Sequence, residues 1–261
     1  MNIFKQLIVS LYSPKDIATF RLQKKRKTIL YLMLLTLIAI IPMSFFSYTA
    51  ISEGINISKT ALEHDVPDFE IRDGIFTSES DEPVYLESNG FTVILDSSGT
   101  LTPEDILNMD DTFALLQHEL VISMDGAHNT YEYSQLQGIN ISKQDIEDFV
   151  QGIEGGKTLI ISIFVFFIYL FSLIGQFIDV TIIAIIGLLF KNILQKQLTF
   201  GQIWRLSAYS VTLPTIFFTL MEALKTEVPF QFIINWGVAL IMLYLAMKES
   251  ESNVTPNYDE Y

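Results

Sequence analysis

Residues 158–190 read TLIISIFVFFIYLFSLIGQFIDVTIIAIIGLLF, and Asp179 is the only charged side chain among these 33 positions. At about 1.5 Å per residue the stretch makes a helix of about 50 Å, longer than the roughly 30 Å of bilayer hydrocarbon. It therefore predicts one long, tilted or kinked membrane-spanning helix. The alternative is a hairpin, but its second leg of about ten residues is too short to span, and it puts Lys191, Lys196 and Arg205 on the outer side.

The overall composition points to the same class of protein. Half of the 261 residues are hydrophobic, and phenylalanine alone occurs 20 times, which is unusual for a soluble domain. The chain has no cysteine, so disulfides, thiolate metal sites and cysteine nucleophiles are excluded.

Charge is segregated along the chain, although the net value is −14. The first 27 residues carry seven basic side chains and one acidic side chain, residues 28–51 carry no charge, and residues 52–157 carry 22 acidic and four basic side chains. Basic flanks stay in the cytoplasm, so the acidic region is expected outside. The basic lead and the long apolar run favour an uncleaved anchor over a cleaved signal peptide.

These patterns predict a polytopic α-helical membrane protein with about four transmembrane helices and an inserted α+β extracytoplasmic domain, in the plasma membrane with both termini cytoplasmic. The predicted segments are a cytoplasmic amphipathic basic segment (1–27), transmembrane helix 1 (28–51), the acidic domain (52–157), transmembrane helix 2 (158–190), a cytoplasmic loop (191–205), transmembrane helix 3 (206–222), an external turn (223–229), transmembrane helix 4 (230–247) and a cytoplasmic tail (248–261).

The basic segment contains an amphipathic pattern. Apolar side chains recur at the spacing of one helix face, and the pattern stops at Pro14. The apolar residues of this face are Ile3, Phe4, Leu7, Ile8 and Leu11. We expect a helix that lies in the inner membrane surface, with a docking helix for a cytoplasmic partner as the alternative. Further along, Pro42 and Pro214 predict kinks.

Turn signals and β-branched residues predict two hairpins in the acidic domain. The first pairs residues 84–86 with residues 91–96, and a strand-ending turn follows Asp96. The second pairs residues 119–124 with residues 130–133 through a loop at 125–129. A capped helix is expected to start at Thr102-Pro103-Glu104-Asp105.

The pentapeptide Ile-Asn-Ile-Ser-Lys occurs twice, at residues 55–59 and 139–143. One interpretation makes Ser58 and Ser142 helix N-caps, the latter with Asp145 as a capping-box partner. The other has the two following helices pair as a stalk.

Six short stretches along the chain carry a family resemblance: SLYSP (10–14), TFR (19–21), KTILY (27–31), ILDSSG (94–99), RLSAYS (205–210) and LP (213–214). In these stretches the chain resembles an uncharacterised Firmicute family of membrane proteins, the domain of unknown function 1189 family, some members of which are labelled maltodextrin utilization proteins. The resemblance runs nearly end to end, and it implies no catalytic residues.

No catalytic, metal or cofactor signature is found in the sequence. His64, His118 and His128 are the only histidines, and none has the spacing that places two ligands on one helix face. We therefore expect no cofactor, no metal and no enzymatic activity. Nucleic acid is not expected as a partner of so acidic a chain.

Polar residues within the apolar blocks are the remaining candidates, because each carries an energetic cost at membrane depth. Asp179, with Gln176 one turn away, is a candidate for ligand, ion or partner-helix contact, and Asn235 could pair with Asp179 across the bundle. Outside, Tyr85, Tyr131 and Tyr133 are candidate ligand contacts.

Three functions remain open. The favoured one is a non-enzymatic accessory or sensor protein whose extracytoplasmic domain binds a ligand or partner, with the lipid bilayer and a membrane-protein partner or a second copy of the chain as its surroundings. The second is a component of a carbohydrate transport system, for maltodextrins as the resemblance implies. The third is a membrane enzyme, which the shortage of intramembrane ionisable residues disfavours.

Overall fold

The computed structural model describes residues 1–88, 90–124, 126–136 and 138–250. They form two compact units, and both divisions between the units fall inside helices. The helical unit comprises Met1–Tyr48 and the described residues from Ser162 onward, and the sheet unit comprises Thr49–Ile161. The sheet unit corresponds to the predicted acidic domain at 52–157, with a few more helical residues at each end.

Nine α-helices and two short 3-10 helices, Phe20–Leu22 and Tyr133–Leu136, account for most of the described residues outside the sheets. The α-helices are α1 (Ile3–Ser10), α2 (Pro14–Thr19), α3 (Lys25–Ala39), α4 (Ile41–His64), α5 (Pro103–Ile106), α6 (Lys143–Ile193), α7 (Phe200–Ser210), α8 (Thr212–Ala223) and α9 (Gln231–Glu249).

Among the described residues, three helical stretches are long and apolar enough to cross a membrane: Lys25–His64, which is α3 with α4, Lys143–Ile193 and Gln231–Glu249. Helix α6 runs without interruption through residues 158–190, where a hairpin was the alternative. The predicted third span is divided at Val211 into α7 and α8, of 11 and 12 residues. The mixed fold is confirmed, whereas the count of four spans stays a prediction.

The two predicted kinks are present. Pro42 is the second residue of α4, directly after the break that ends α3, and Pro214 is the third residue of α8, directly after the break at Val211. Proline has no N–H for the carbonyl four residues earlier, so a helix bends or divides there. At the second break, the Thr212 hydroxyl donates to the carbonyl of Tyr209 at 2.7 Å.

Helices α6, α7 and α9 approach closely in the core of the helical unit. A Cβ atom added to Gly187 would lie 2.6 Å from Cγ2 of Ile203 and 3.0 Å from Cδ2 of Leu243. Both neighbours are buried in the core. Glycine at this position therefore sets the distance between the three helices, because any larger residue would collide with the other two.

We predict that Gly187→Leu destabilises the protein by about 1–3 kcal/mol, the usual cost of overpacking a core. Thermal unfolding of the detergent-purified protein measures the change. The matched control is Gly175→Leu in the same helix, where an added Cβ meets nothing within 4 Å. Equal melting temperatures for the two variants would contradict the close approach at Gly187.

Helix α1 forms as predicted, and Phe4 and Ile8 of its predicted apolar face are exposed. The buried residues of α1 are Gln6, Val9 and Ser10, while Ile3 and Leu7 pack against the core of the helical unit. The placement of α1 in the inner membrane surface, or against a cytoplasmic partner, stays a prediction.

Eight strands form two sheets in the sheet unit. The three-stranded sheet has the order β2-β1-β8 and the five-stranded sheet the order β3-β4-β5-β6-β7, in which only β4 and β5 run parallel. The strands are β1 (Phe69–Arg72), β2 (Ile75–Ser78), β3 (Val84–Ser88), β4 (Phe91–Leu95), β5 (Thr112–Leu115), β6 (Glu119–Met124), β7 (Ala127–Glu132) and β8 (Ile141–Ser142).

Both predicted hairpins are confirmed. Strand β3 pairs with β4 in antiparallel register, and β6 pairs with β7. The second loop is shorter than predicted, because β7 begins at Ala127, which pairs with Met124. Gly126 has φ of +73°, a conformation that glycine adopts at little cost in a tight turn.

Strand β4 contributes to two apolar clusters of the sheet unit. Leu95 packs with Ile71, Phe76 and Tyr133, which joins the two sheets, whereas Ile94 packs in a second cluster. The second cluster includes Ile106 of α5 and lies on the other side of β4, because successive side chains of a strand point to opposite faces. The sheet unit is thus a small α+β domain with its own core.

The repeated pentapeptide adopts two different structures. Ser142 is an N-cap as predicted: Asp145 accepts from its amide at 2.8 Å and from its hydroxyl at 2.5 Å. Ser58 lies inside α4, so the prediction that it caps a helix is wrong. The predicted helix pairing is supported within the sheet unit by an ion pair of 3.1 Å between Lys59 Nζ and Glu154 Oε2.

Two loop carboxylates hold the chain around α5. Hydrogen bonds from the amide and hydroxyl of Thr102 lower the pKa of Asp105, and this capping box confirms the predicted helix start. Asp96 is fully buried, and it accepts from the Ser98 amide at 3.0 Å and the Leu101 amide at 2.7 Å. The carboxylate of Asp96 therefore closes the turn that was predicted after β4.

We predict that Asp96→Ala destabilises the sheet unit by about 2–4 kcal/mol, because two partly buried amide donors lose a charged acceptor. Pulse proteolysis of the purified full-length protein measures the loss. Asp81→Ala, at an exposed position of the same unit, is the control and should change the rate of cleavage little. Similar protease resistance in the two variants would show that the Asp96 loop does not stabilise the fold.

Candidate functional site

A cleft of about 510 Å³ opens within the helical unit, and most of its lining residues have polar side chains. Its lining comes from the end of α3, the middle of α6, one face of α8 and the first turns of α9. The lining residues are Ala39, Gln176, Thr215, Phe218, Thr219, Glu222, Gln231, Phe232 and Asn235. We call it the Glu222 cleft, because Glu222 is the only ionisable residue among them.

The spacing of residues in α8 explains why this helix supplies most of the lining. Thr215, Phe218, Thr219 and Glu222 recur at intervals of three and four residues, so they lie on one face of the helix. The Thr219 hydroxyl donates to the carbonyl of Thr215 at 2.8 Å. Its oxygen therefore turns acceptor lone pairs towards the cleft, and Glu222 ends the row with a carboxylate.

A second cavity of about 580 Å³ continues from the first and shares Phe218, Glu222 and Gln231 with it. Its other lining residues are Phe46, Met221, Lys225, Thr226, Glu227 and Val228. The ammonium of Lys225 lies 4.9 Å from the ring centroid of Phe46, within the range of a cation–π contact.

Most polar side chains of the Glu222 cleft have no partner in the part of the chain that the structure describes. No hydrogen bond or ion pair is found there for the side chains of Gln176, Glu222, Gln231 and Asn235. Gln176 and Asn235 are half-buried, whereas Glu222 and Gln231 are exposed, and all four side chains can bind a molecule that enters the cleft.

The structure brings two of the three predicted intramembrane candidates together. Gln176 and Asn235 both line the Glu222 cleft, whereas Asp179 is half-buried beside it and does not line it. In the part of the chain that the structure describes, no hydrogen bond joins Asp179 to Asn235. The predicted Asp179–Asn235 pair is therefore replaced by a shared cleft in which Asn235 faces Gln176.

A buried polar cluster stabilises the helix break between α7 and α8. The hydroxyl groups of Tyr31 and Thr212 lie 2.5 Å apart, and the Tyr31 and Tyr209 ring centroids are 4.2 Å apart. The Tyr209 hydroxyl donates to the side-chain oxygens of Gln6 at 3.3 Å and Gln23 at 3.2 Å. The cluster thereby ties α1 and the start of α3 to the break at which α8 begins.

Every residue of the cleft and of this cluster lies within the part of the chain that a protein family matches. The family is described as "Protein of unknown function (DUF1189)", and the match covers residues 4–247. The chain belongs to this family.

Membership of the DUF1189 family assigns no activity to the cleft, since the family description gives none. No curated protein and no solved structure matches the chain. The chemistry of this DUF1189 protein therefore has to be derived from its own residues.

The three predicted tyrosines of the sheet unit do not form one site. Tyr85 is 51% exposed on β3 and Tyr131 is 52% exposed on β7. These strands are the two edges of the five-stranded sheet, so at about 4.8 Å per strand they lie about 19 Å apart. Tyr133 is 4% exposed and belongs to the core between the sheets, where burial raises the pKa of its hydroxyl.

Tyr85 alone borders a groove. The groove has a volume of about 570 Å³ and lies between α4 and β3 within the sheet unit. Its polar lining includes Asn56, Thr60, Asp65 and Glu87 beside the ring of Tyr85. Within the described ranges no three carboxylate or imidazole groups come close enough to hold a metal ion, so no metal ligand is assigned.

Sequence reasoning missed the most informative residue, Glu222, because it falls at the end of an apolar run, where a charge usually marks a helix end. The available signal was the row of Thr215, Thr219 and Glu222 at helical spacing. This polar stripe on an otherwise apolar helix indicates a face that lines a cavity.

We predict that Tyr31→Phe destabilises the protein by about 1 kcal/mol, the usual net value of one buried hydrogen bond, because the contact with Thr212 is lost. Thermal unfolding in detergent measures the change. Tyr12→Phe is the control, since Tyr12 is exposed. If both variants melt like the original protein, the Tyr31–Thr212 bond does not secure the helix break.

Proposed function

We propose that the chain is a non-enzymatic accessory or sensor protein of the plasma membrane, and that its acidic domain binds a ligand or partner outside the cell. The exposed apolar surface of α6 is the observation that supports the membrane location. Only 6% of the most apolar stretch of this helix is buried, and its exposed side chains include Phe164, Phe166, Phe167 and Phe171. Exposed apolar area on this scale requires an apolar surrounding.

Charge segregation supports a topology with both termini in the cytoplasm. The basic segment at 1–27 and the loop at 191–205 would lie inside, and the acidic region at 52–157 outside. Four crossings require α7 and α8 to traverse the bilayer together as one broken helix. Their combined 24 positions, Phe200–Ala223, would cover about 36 Å, which is sufficient.

The groove beside Tyr85 supports the binding role of the sheet unit. It combines an exposed aromatic ring with amide, hydroxyl and carboxylate groups, a lining that suits a polar ligand or a segment of a partner protein. The same lining favours the second candidate, a component of carbohydrate transport, since a ring with neighbouring hydrogen-bonding groups can hold a sugar.

Thiol labelling in intact cells tests the topology, and it is clean because the chain has no cysteine of its own. We expect a membrane-impermeant maleimide to label Glu79→Cys in intact cells, and to label Gln197→Cys and Asn257→Cys only after permeabilisation. Labelling of Asn257→Cys in intact cells would mean three crossings, with the termini on opposite sides.

Affinity purification from detergent-solubilised membranes tests the accessory or sensor role. We expect a defined membrane protein or extracytoplasmic ligand to co-purify at constant ratio, and Tyr85→Ala to lower its recovery at least about fivefold, roughly the loss of 1 kcal/mol of binding free energy. Tyr131→Ala is the matched control, an equally exposed tyrosine at the opposite edge of the sheet. Equal recovery with both variants would refute the Tyr85 groove as the binding surface.

A further inference from the structure

The Glu222 cleft and the second cavity contain charged side chains that form no ion pair among the described residues. Glu222 lines both cavities, and Lys225 and Glu227 line only the second. Although Glu222 and Lys225 are three positions apart, no ion pair joins them among the described residues; the Lys225 ammonium rests on the ring of Phe46 instead. The two cavities therefore present a carboxylate and an ammonium that form no ion pair with each other.

Glu222 is exposed at the cleft and has no ion-pair partner among the described residues, so a cationic group that enters beside it would gain a charge-assisted bond. The neutral side chains around Glu222 fit an organic ammonium. Gln176, Gln231 and Asn235 each offer an amide oxygen, and the hydroxyl of Thr219 offers lone pairs. An ammonium has three donors and no acceptor, so one carboxylate with several neutral acceptors is a complementary set.

The size of the cleft argues for an organic group over a bare metal ion. The two cavities of about 510 and 580 Å³ match the volumes of small-molecule sites. Calcium sites usually collect six to eight oxygen ligands, including more than one carboxylate, whereas Glu222 is the single carboxylate of the inner cavity. Phe218 and Phe232 add apolar side chains to the lining. These rings can contact the apolar part of a larger amphipathic ligand, whereas a bare ion makes no use of them.

The second cavity adds the opposite charge at its own end. Lys225 and the hydroxyl of Thr226 are a cation and a donor of the kind that hold phosphate oxygens. A ligand that spans both cavities would meet Glu222 and neutral acceptors at one end, and Lys225 and Thr226 beside a second carboxylate, Glu227, at the other. Glu222 can accept from an ammonium and Lys225 can donate to a phosphate, so this arrangement suits a zwitterion that carries both groups a few bonds apart.

We propose that the Glu222 cleft and the second cavity together bind an ammonium–phosphate zwitterion, with the ammonium at Glu222 and the phosphate at Lys225. Two sources share this chemistry: the headgroup of an ethanolamine phospholipid, which rests on the proposed membrane location, and a water-soluble zwitterion of the same kind. Binding at this site is separate from binding at the Tyr85 groove of the sheet unit.

The test measures lipid binding by native mass spectrometry of the full-length protein in detergent, with phosphatidylethanolamine and phosphatidylglycerol of identical acyl chains as probes. The original protein should bind phosphatidylethanolamine about tenfold more tightly than phosphatidylglycerol, a difference of about 1.4 kcal/mol. Glu222→Gln should remove this preference, and Lys225→Gln should weaken binding of phosphatidylethanolamine severalfold.

A matched control is available in the same unit. Asp179→Asn changes a carboxylate that lines neither cavity. This variant should keep the preference of the original protein. Addition of glycerophosphoethanolamine identifies the source: displacement of the lipid at a similar concentration indicates a soluble zwitterion, and no displacement indicates the phospholipid.

Equal affinity of the original protein for the two lipids would overturn the proposal, whether or not any variant folds. So would an undiminished preference in folded Glu222→Gln. Carbonate extraction of cell membranes separates this failure from failure of the membrane location, because a peripheral protein would be released by carbonate whatever lipid it prefers.

Discussion

Helix α6 exposes a long surface of phenylalanine, leucine and isoleucine that no other described part of the chain covers. In water this surface would cost about 25 cal/mol for every Å², which favours the apolar surroundings that the proposed membrane location would supply. Helices in such surroundings are not driven together by the hydrophobic effect and instead depend on close packing between small residues. Gly187, Ala184, Ala208, Ala239 and Ala246 occupy the core, as this requirement demands.

The same constraint explains why the cleft lies where two helices break. A break frees backbone carbonyls, and in apolar surroundings these must be satisfied by side chains or line a polar cavity. Ala39 ends α3 at the first break and Thr215 follows Pro214 after the second, and both line the Glu222 cleft. Hydroxyl groups of Thr212 and Tyr31 stabilise the second break, so the cleft has firm walls on this side.

Patterns of local origin were the ones that the sequence predicted well. The uninterrupted α6, the β3–β4 hairpin and the capping box at Thr102 each depend on neighbouring residues, and each is present. The parallel pairing of β4 with β5 depends on contacts between distant residues, for which one sequence carries no signal. The short strands β1, β2 and β8 were missed for the same reason.

The candidate site was only partly predictable because helical spacing identifies a face but not its partner. Gln176 and Asn235 were identified from their cost at membrane depth, and both line the cleft. The same reasoning favoured Asp179, which lies outside the cleft. For α1, periodicity identified the helix but not the burial of Gln6, whose side-chain oxygen accepts a hydrogen bond from the Tyr209 hydroxyl in the core.

The repeated pentapeptide separates local sequence from tertiary context. Its first copy continues a helix that has already begun, and the residue three positions after Ser58 is Ala61, which cannot complete a capping box. In the second copy Ile141 pairs with Ile71, and Asp145 completes the box with Ser142. Identical residues therefore extend one helix and start another.

The two lysines of the repeat nevertheless perform the same task. Lys59 Nζ bonds Glu154 across the helix pair at 3.1 Å, and Lys143 Nζ donates to the carbonyl of Val66 at 2.8 Å. Each lysine thus joins the segment that enters the sheet unit to the segment that leaves it. In a region with four basic residues among 22 acidic ones, half of the positive charges serve this junction. The sheet unit has no cysteine, so no disulfide can join its two ends. The ion pair of Lys59 and the bond from Lys143 to a backbone carbonyl join them instead.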